Sequence, residues 1–428
     1  MVARSMTTRP ERPLAPYPLA VGLDAPAPPN SIAAVDLAVE AIPYAQTILA
    51  LPVAQLAVMR HAIELLFRLA HSPAYSARVD ATADELARLA PGNHGVFMGY
   101  DFHLTEHGPR LIEINTNAGG ALLNGLHTAS LAEPSRLEWL CCTPPPIEDI
   151  EDRIVATFRG EFESARGGGA RLRRVAIVDD RPDEQFLRPE FDLFVRLFAR
   201  HDIEARIGDT RELIRTRAGG IELDGWPVEL VYLRDTDFQL ASDRTRALRS
   251  AYLAGEVVVT PTPREHHLLA DKRRLEIFSS AAELEAAGLD PEEAAFLAGV
   301  VPETRALSSF SLEEAWTDRR QWVFKPAASF GSRAVYRGDK VSKKKLGEIH
   351  SDPSFLAQRR VEPGTTTVRT PQGDRKLKFD VRAYAYRDEI LLLGARAYEG
   401  QVTNMRSPGG GFTAICVARG EEACCPVD

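Results

Sequence analysis

Asp101, Glu113 and Asn115 are residues whose types and spacing could hold a cation together. They lie in Phe97-Met-Gly-Tyr-Asp-Phe-His-Leu-Thr-Glu-His-Gly-Pro-Arg-Leu-Ile-Glu-Ile-Asn-Thr-Asn117, two runs of strand character around a turn marked by Gly108-Pro109. Strand alternation sets Asp101 beside His103 on one face, and Glu113 beside Asn115. The opposite faces carry Phe102 and Leu104 on one strand and Ile112 and Ile114 on the other. Paired so that facing positions sum to an even number, the hairpin presents three hard oxygen donors on one face. Such donors suit Mg²⁺, which takes carboxylate and amide oxygens beside substrate phosphates. The same alternation also fits a hairpin whose polar face only meets water.

Lysine is the second signal. Only eight of 52 basic residues are Lys, and none precedes Lys272. A chain that otherwise uses Arg keeps Lys by accident or where a compact ammonium is needed. Lys343, Lys344 and Lys345 read as a solvated helix face; Lys272 and Lys325 do not. Lys325 closes the apolar strand Trp322-Val-Phe-Lys325 before a small-residue loop with Ser329 and Gly331, after which Ala334-Val-Tyr336 resumes the strand. That arrangement lets an ammonium and backbone N–H groups reach phosphate oxygens together. It is not a Walker loop, because Gly-x-x-x-x-Gly-Lys-Ser/Thr is absent.

Three further segments could complete a nucleotide site. Phe355-Leu-Ala-Gln-Arg-Arg-Val361, with Gln358, Arg359 and Val361, reads either as a strand offering backbone groups to an adenine edge or as an edge strand with exposed arginines. In Lys378-Phe-Asp-Val-Arg-Ala-Tyr-Ala-Tyr386, alternation places Asp380, Arg382, Tyr384 and Tyr386 on one face. Arg406 stands shortly before Gly409, Gly410 and Gly411, a run that either brings backbone close to a ligand or forms a surface loop. Arg382 and Arg406 suit phosphate or carboxylate.

Taken in order, these segments resemble the ATP-grasp superfamily, glutathione synthetase-like ligases in particular. Lys272, Lys325, Gln358 to Val361, Asp380-Val-Arg382 and Gly409 to Gly411 follow the family order, while the metal hairpin stands near the other end of the chain, at Asp101…Glu113-Ile-Asn115. That is the order of a circularly permuted ATP-grasp protein, as in eukaryotic-type glutathione synthetases, whose Glu-Ile-Asn-Thr run matches residues 113 to 116. One departure stands out: Ala327-Ala-Ser-Phe330 lacks the acidic residue those enzymes carry after the second Lys, which leaves Asp101 as the expected third metal ligand.

The resemblance implies ATP and Mg²⁺ as cofactors and an ATP-dependent carboxylate–amine ligase working through an acyl phosphate. A small-molecule kinase and an inactive nucleotide-binding partner protein are the alternatives. Lys272, Lys325, Ser329, Gly331, Gln358, Arg359, Val361, Asp380 and Gly409 to Gly411 would hold the nucleotide; Arg382 and Arg406 would be catalytic; Asp101, Glu113 and Asn115 would hold the metal. The partners implied are a small carboxylate and an amine, such as an amino acid, a peptide or a polyamine, with a homodimer admitted.

The elements that must position these groups follow from pattern. The expected fold class is α/β and α+β: a circularly permuted ATP-grasp fold with a Rossmann-like parallel α/β domain and an N-terminal helical region. Residues 1–30 read as a mobile arm, 31–150 as the helical region plus the hairpin, 151–263 as the α/β substrate domain, and 264–428 as the ATP-grasp lobes, with a small lobe at about 300–360. Leu56, Met59, Ile63, Leu66 and Leu69 give the helical period, Arg173 to Asp179 a buried strand, and residues 264 to 279 a helix. No Gly-x-Gly-x-x-Gly follows that first α/β strand, which argues against a dinucleotide. Arg234, Asp235 and Asp237 end its third strand, where ligands bind in such sheets.

Composition sets the outer bounds. A chain of 428 residues with 44% hydrophobic and 26% charged content is ordinary for globular proteins. A net charge of −8 with no basic stripe argues against nucleic acid and anionic membranes. No apolar run reaches a membrane span, and five cysteines without metal-like spacing fit a reducing cytoplasm.

Overall fold

The polar hairpin belongs to the largest sheet of the molecule. In this computed structural model, residues 20–21, 42–130, 147–327, 334–370, 373–400, 405 and 407–418 are described. Eight strands form that sheet, in the order Ala20–Val21, Tyr44–Pro52, Gly411–Ala418, Glu389–Tyr398, Gly373–Tyr386, Met98–Thr105, Gly108–Asn115, with Gly364–Thr370 also paired to Gly373–Tyr386. All neighbours are antiparallel except Tyr44–Pro52 beside Gly411–Ala418. Strands of the hairpin and strands near residue 380 thus share one sheet despite a separation of some 280 residues, as 382 and 101 illustrate.

Burial divides the two faces of this sheet. One face packs Tyr100, Phe102, Leu111, Ile114, Val381 and Ala383 against helix Val53–Ala70, whose Met59, Ile63, Leu66 and Leu69 repeat at helical spacing. Each such side chain fully buried is worth about 1.5–3 kcal/mol. The other face carries the polar residues and then meets helices Ala121–Ser130 and Ile147–Arg166.

Residues 44 to 52 form a strand rather than part of the N-terminal helical region, because they continue the sheet beside Gly411–Ala418. The helix expected over 264 to 279 is broken. Pro263–Glu265 makes one turn, His266–Ala270 widens into a π-turn, and Arg274–Phe278 resumes after Asp271–Arg273. Lys272 sits in that break.

The α/β unit holds a parallel sheet in the order Val258–Thr260, Leu230–Leu233, Arg174–Asp179, Glu204–Asp209. A separate small antiparallel sheet runs Thr304–Ala306, Phe355–Arg359, Trp322–Pro326, Tyr336–Arg337 and packs on helix Lys343–His350. That helix buries Leu346 and Ile349 and leaves Lys343 and Lys344 exposed. No helix among the described residues is long and apolar enough to cross a membrane.

Candidate functional site

The hairpin turns through Glu106-His107, two residues before the expected Gly108-Pro109. Thr105 faces Gly108, and the Thr105 hydroxyl donates to the Gly108 carbonyl at 2.8 Å. Pro109 is tolerated because its strand is the sheet edge. Pairing is even on the functional side, with Asp101 opposite Glu113 and Gly99 opposite Asn115. A bulge follows between Asp101 and Phe102, so Phe102 faces Leu111 and Ile112 is the extra residue. The bulge corrects the expected apolar face: Leu111 and Ile114 enter the core, and Ile112 is half-buried.

That bulge has a chemical consequence. The Ile112 carbonyl accepts from Lys325 Nζ at 3.1 Å and from Gln358 Nε2 at 3.2 Å, and Gln358 Oε1 accepts from Lys325 at 2.9 Å. The small sheet is thereby pinned to the hairpin through the side chains expected to face nucleotide. Lys325 is buried, and burial pushes its ammonium down to about 8; Glu113 pulls it up and Lys272 pushes it further down. Lys272 Nζ lies 3.1 Å from Glu113 Oε1. Two ammonium groups therefore meet at consecutive hairpin residues, Ile112 and Glu113.

Across the next strands runs a second, denser cluster. Arg382 stands directly opposite Asp101, and Arg396 directly opposite Asp380. Arg382 donates to Asp101 through Nε at 2.6 Å and Nη2 at 2.7 Å, Arg396 Nη2 donates at 3.0 Å, and Asn115 Nδ2 at 3.1 Å. Arg396 Nε also donates to Asp380 at 2.7 Å. Against the cost of burial, Arg382 and then Arg396 hold the Asp101 carboxyl down at about 2. A Cβ on Gly99 would meet Ala118 at 2.5 Å and Arg382 Nε at 3.4 Å, so glycine lets the guanidinium lie across the strand.

The remaining expected residues separate. Ser329, Gly331 and Arg406 lie outside the described residues. Arg359 is a surface group that donates to Glu303 at 2.9 Å and covers Trp322. Val361 lies beyond the strand end, and its carbonyl is 3.0 Å from His103 Nδ1. Gly409, Gly410 and Gly411 are each required by packing: added Cβ atoms would meet Thr370, the Ala397 carbonyl and the Pro43 carbonyl at 2.8, 2.6 and 2.2 Å. Arg234 is directed at the segment after the hairpin, donating to Asn117 Oδ1 at 2.5 Å. Asp235 is held by Arg244 through two 2.8 Å bonds, and Asp237 caps the turn at Ala241 and Ser242.

Sequence reasoning missed two groups here. Arg396 breaks the apolar run from Ile390 to Tyr398 opposite Asp380, and that interruption is the available signal. Asp179 ends strand Arg174–Asp179, and burial raises its carboxyl to about 6 while Arg234 opposes the shift.

Glu113 and Asn115 fit a Mg²⁺ site: the Glu113 carboxylate is 29% exposed and the Asn115 amide oxygen is a hard donor. Asp101 is drawn toward the arginines instead: Oδ2 accepts from Arg382, Arg396 and Asn115, and Oδ1 accepts from Arg382 Nε.

No protein-family model and no curated protein matches the chain. Among solved structures, a glutathione synthetase-like effector (GSS30) from Globodera pallida in apo form is similar at 12% identity and TM-score 0.56, over 88% of this chain and 90% of that one. A putative gamma-glutamylcysteine synthetase from Methylobacillus flagellatus KT shares 12% identity at TM-score 0.44, over 86% and 88%, too loose a likeness to carry an argument. The first likeness establishes the fold, which is the glutathione synthetase-like one that the motif order implies.

Proposed function

We propose that the chain is an ATP-dependent ligase of the permuted ATP-grasp type, joining a small carboxylate to an amine. The observation that carries this reading is the convergence of Lys325 and Lys272 on Ile112 and Glu113, with Arg382 anchored one strand away. The single sheet formed by residues 98–115 and 373–398 supports the permuted order.

Each group has work it can do. Lys272 and Lys325 neutralise phosphate oxygens, and Gln358 holds Lys325 in position. Glu113 and Asn115 would hold Mg²⁺, which would disperse the negative charge of the triphosphate. A carboxylate oxygen of the acid attacks the γ-phosphorus, ADP leaves, and an acyl phosphate results. The amine then attacks the acyl carbon, phosphate departs with that carboxylate oxygen, and the amine proton passes to solvent. Arg382 uses Nε and Nη2 on Asp101, which fixes the guanidinium plane and leaves Nη1 for the acyl phosphate and the tetrahedral intermediate. Arg234 and Asp179, at the carboxyl ends of α/β strands, would bind the acid or acceptor.

The test is ADP release against pooled carboxylates and amines with mass spectrometry of products. An amide whose formation needs both partners supports the ligase; a phosphorylated product formed without an amine makes the protein a kinase; no turnover with any pool, despite ATP binding, makes it a binder.

A further inference from the structure

Away from the lysines, three segments each bring one donor atom to a common point. His71 caps the C-terminus of helix Val53–Ala70, His94 lies in the loop before strand Met98–Thr105, and Glu265 closes the turn Pro263–Glu265. His71 Nε2 is 2.9 Å from Glu265 Oε1 and 3.1 Å from His94 Nδ1, and His94 Nδ1 is 3.7 Å from the same Oε1. Tetrahedral geometry with bonds of about 2.0–2.2 Å places ligand atoms about 3.3–3.6 Å apart. The observed separations bracket that range. We propose that His71, His94 and Glu265 form a site for a divalent cation of the Zn²⁺ class, with water as the fourth ligand.

The surroundings are those of a metal site. His71 Nδ1 lies 2.8 Å from the Phe67 carbonyl, so that nitrogen carries the proton and Nε2 turns its lone pair inward in the neutral ring. One proton on Nε2 would satisfy the contact with Glu265 alone, whereas a cation satisfies all three donors. The His94 loop is fixed by the fully buried Glu161, which accepts from the His94 backbone N–H at 2.9 Å, Asn93 Nδ2 at 2.8 Å and the Thr260 hydroxyl at 2.7 Å. Thr262 caps the Glu265 backbone N–H at 3.0 Å. Phe67 packs on both imidazoles, at 4.3 and 5.2 Å between ring centres.

Donor chemistry selects the ion. Two imidazole nitrogens and one carboxylate suit Zn²⁺ and its neighbours and disfavour Mg²⁺ and Ca²⁺. Glu265 is 3% exposed and the histidines 26% and 24%, so the fourth position opens to solvent. The bound ion would fasten the end of the long helix, the entry to the hairpin and the root of the segment that carries Lys272. It requires nothing of the ligase reading.

The test uses untagged, chelator-stripped full-length protein titrated with Co²⁺ and then Zn²⁺, read by visible absorption, metal analysis and thermal melting. One Zn²⁺ per chain is expected, with Co²⁺ giving the visible bands of a four- or five-coordinate site and Zn²⁺ raising Tm. His94→Ala and His71→Ala should each weaken Zn²⁺ by about a hundredfold or more. His107→Ala, on the exposed hairpin turn, should bind as wild type. Should a variant misfold by circular dichroism, the wild-type stoichiometry and Tm shift still decide. No Zn²⁺ uptake by wild type, the result of a proton-only contact, overturns the site, as does full-affinity binding by folded His94→Ala. No ATP enters the assay, so its failure is separate from failure of the ligase reading.

Discussion

Asp101 and Glu113 face each other across one rung of one hairpin, yet their surroundings assign them opposite work. Asp101 lies on the inner strand, where Arg382 and Arg396 from the next two strands reach both of its oxygens. Glu113 lies on the edge strand, where Lys272 pairs with it and solvent has access. A buried carboxylate bonded by two arginines holds structure; one at an edge, half-open to solvent beside lysine, can exchange partners with a ligand. Position within the sheet, rather than residue type, separates the two roles.

The largest expected effect breaks the inner half of this pair. Asp101→Asn removes the carboxylate that faces the buried Arg382 guanidinium, while Arg396 keeps Asp380, and breaking such a pair costs about 3–5 kcal/mol. Chemical denaturation should show that loss. The wild-type Asp101 contribution is present above the ordinary carboxylate range and disappears as pH falls from about 4 to about 2, because its folded pKa is depressed. Part of the wild type's acid sensitivity should therefore be absent from the variant.

Glu113→Gln sharpens the contrast from the other side. It keeps size and pairing but removes one charge-stabilising group, so turnover should fall about a hundredfold, or about 2.7 kcal/mol. Thermal stability should stay near wild type and nucleotide binding should persist, which melting and calorimetry would show. Equal losses of stability in Asp101→Asn and Glu113→Gln would erase the distinction.

A smaller effect is expected at Lys325. Burial holds it near 8, so its charge is largely present at pH 7 and fades as pH rises toward 9. ATP affinity should weaken through that window, and Lys325→Arg, always charged, should flatten the profile. The smallest effect is Lys343→Ala, on the exposed face of helix Lys343–His350, which should change neither stability nor nucleotide affinity.

Alternation and residue type made much of this arrangement legible in the sequence. They placed Asp101, Glu113 and Asn115 on one face and Asp380 with Arg382 on another strand, and motif order implied that those strands share a sheet. The bulge at Ile112 carries no glycine or turn residue to announce it, so the carbonyl that receives Lys325 and Gln358 was hidden. Residue type marks Arg382 as a ligand-facing group but not the Asp101 contact that orients it, because cross-strand neighbours depend on register. The residues flanking Lys272 have helical character and imply a continuous helix; the π-turn that interrupts it before Lys272 is a tertiary outcome. The His71–Glu265 contact spans 194 residues, beyond any local pattern. A glycine run at 409 to 411 suggests ligand approach, while close packing on Pro43, Thr370 and Ala397 is what requires it here.

The most direct measurement uses the acid found by the ADP screen, labelled with ¹⁸O in its carboxylate, together with ATP and the amine. If the site works as proposed, the inorganic phosphate released carries one ¹⁸O for each amide formed, and Glu113→Gln slows that transfer about a hundredfold. Unlabelled phosphate alongside amide formation would contradict the acyl phosphate and, with it, the assigned roles of Glu113, Lys272, Lys325 and Arg382.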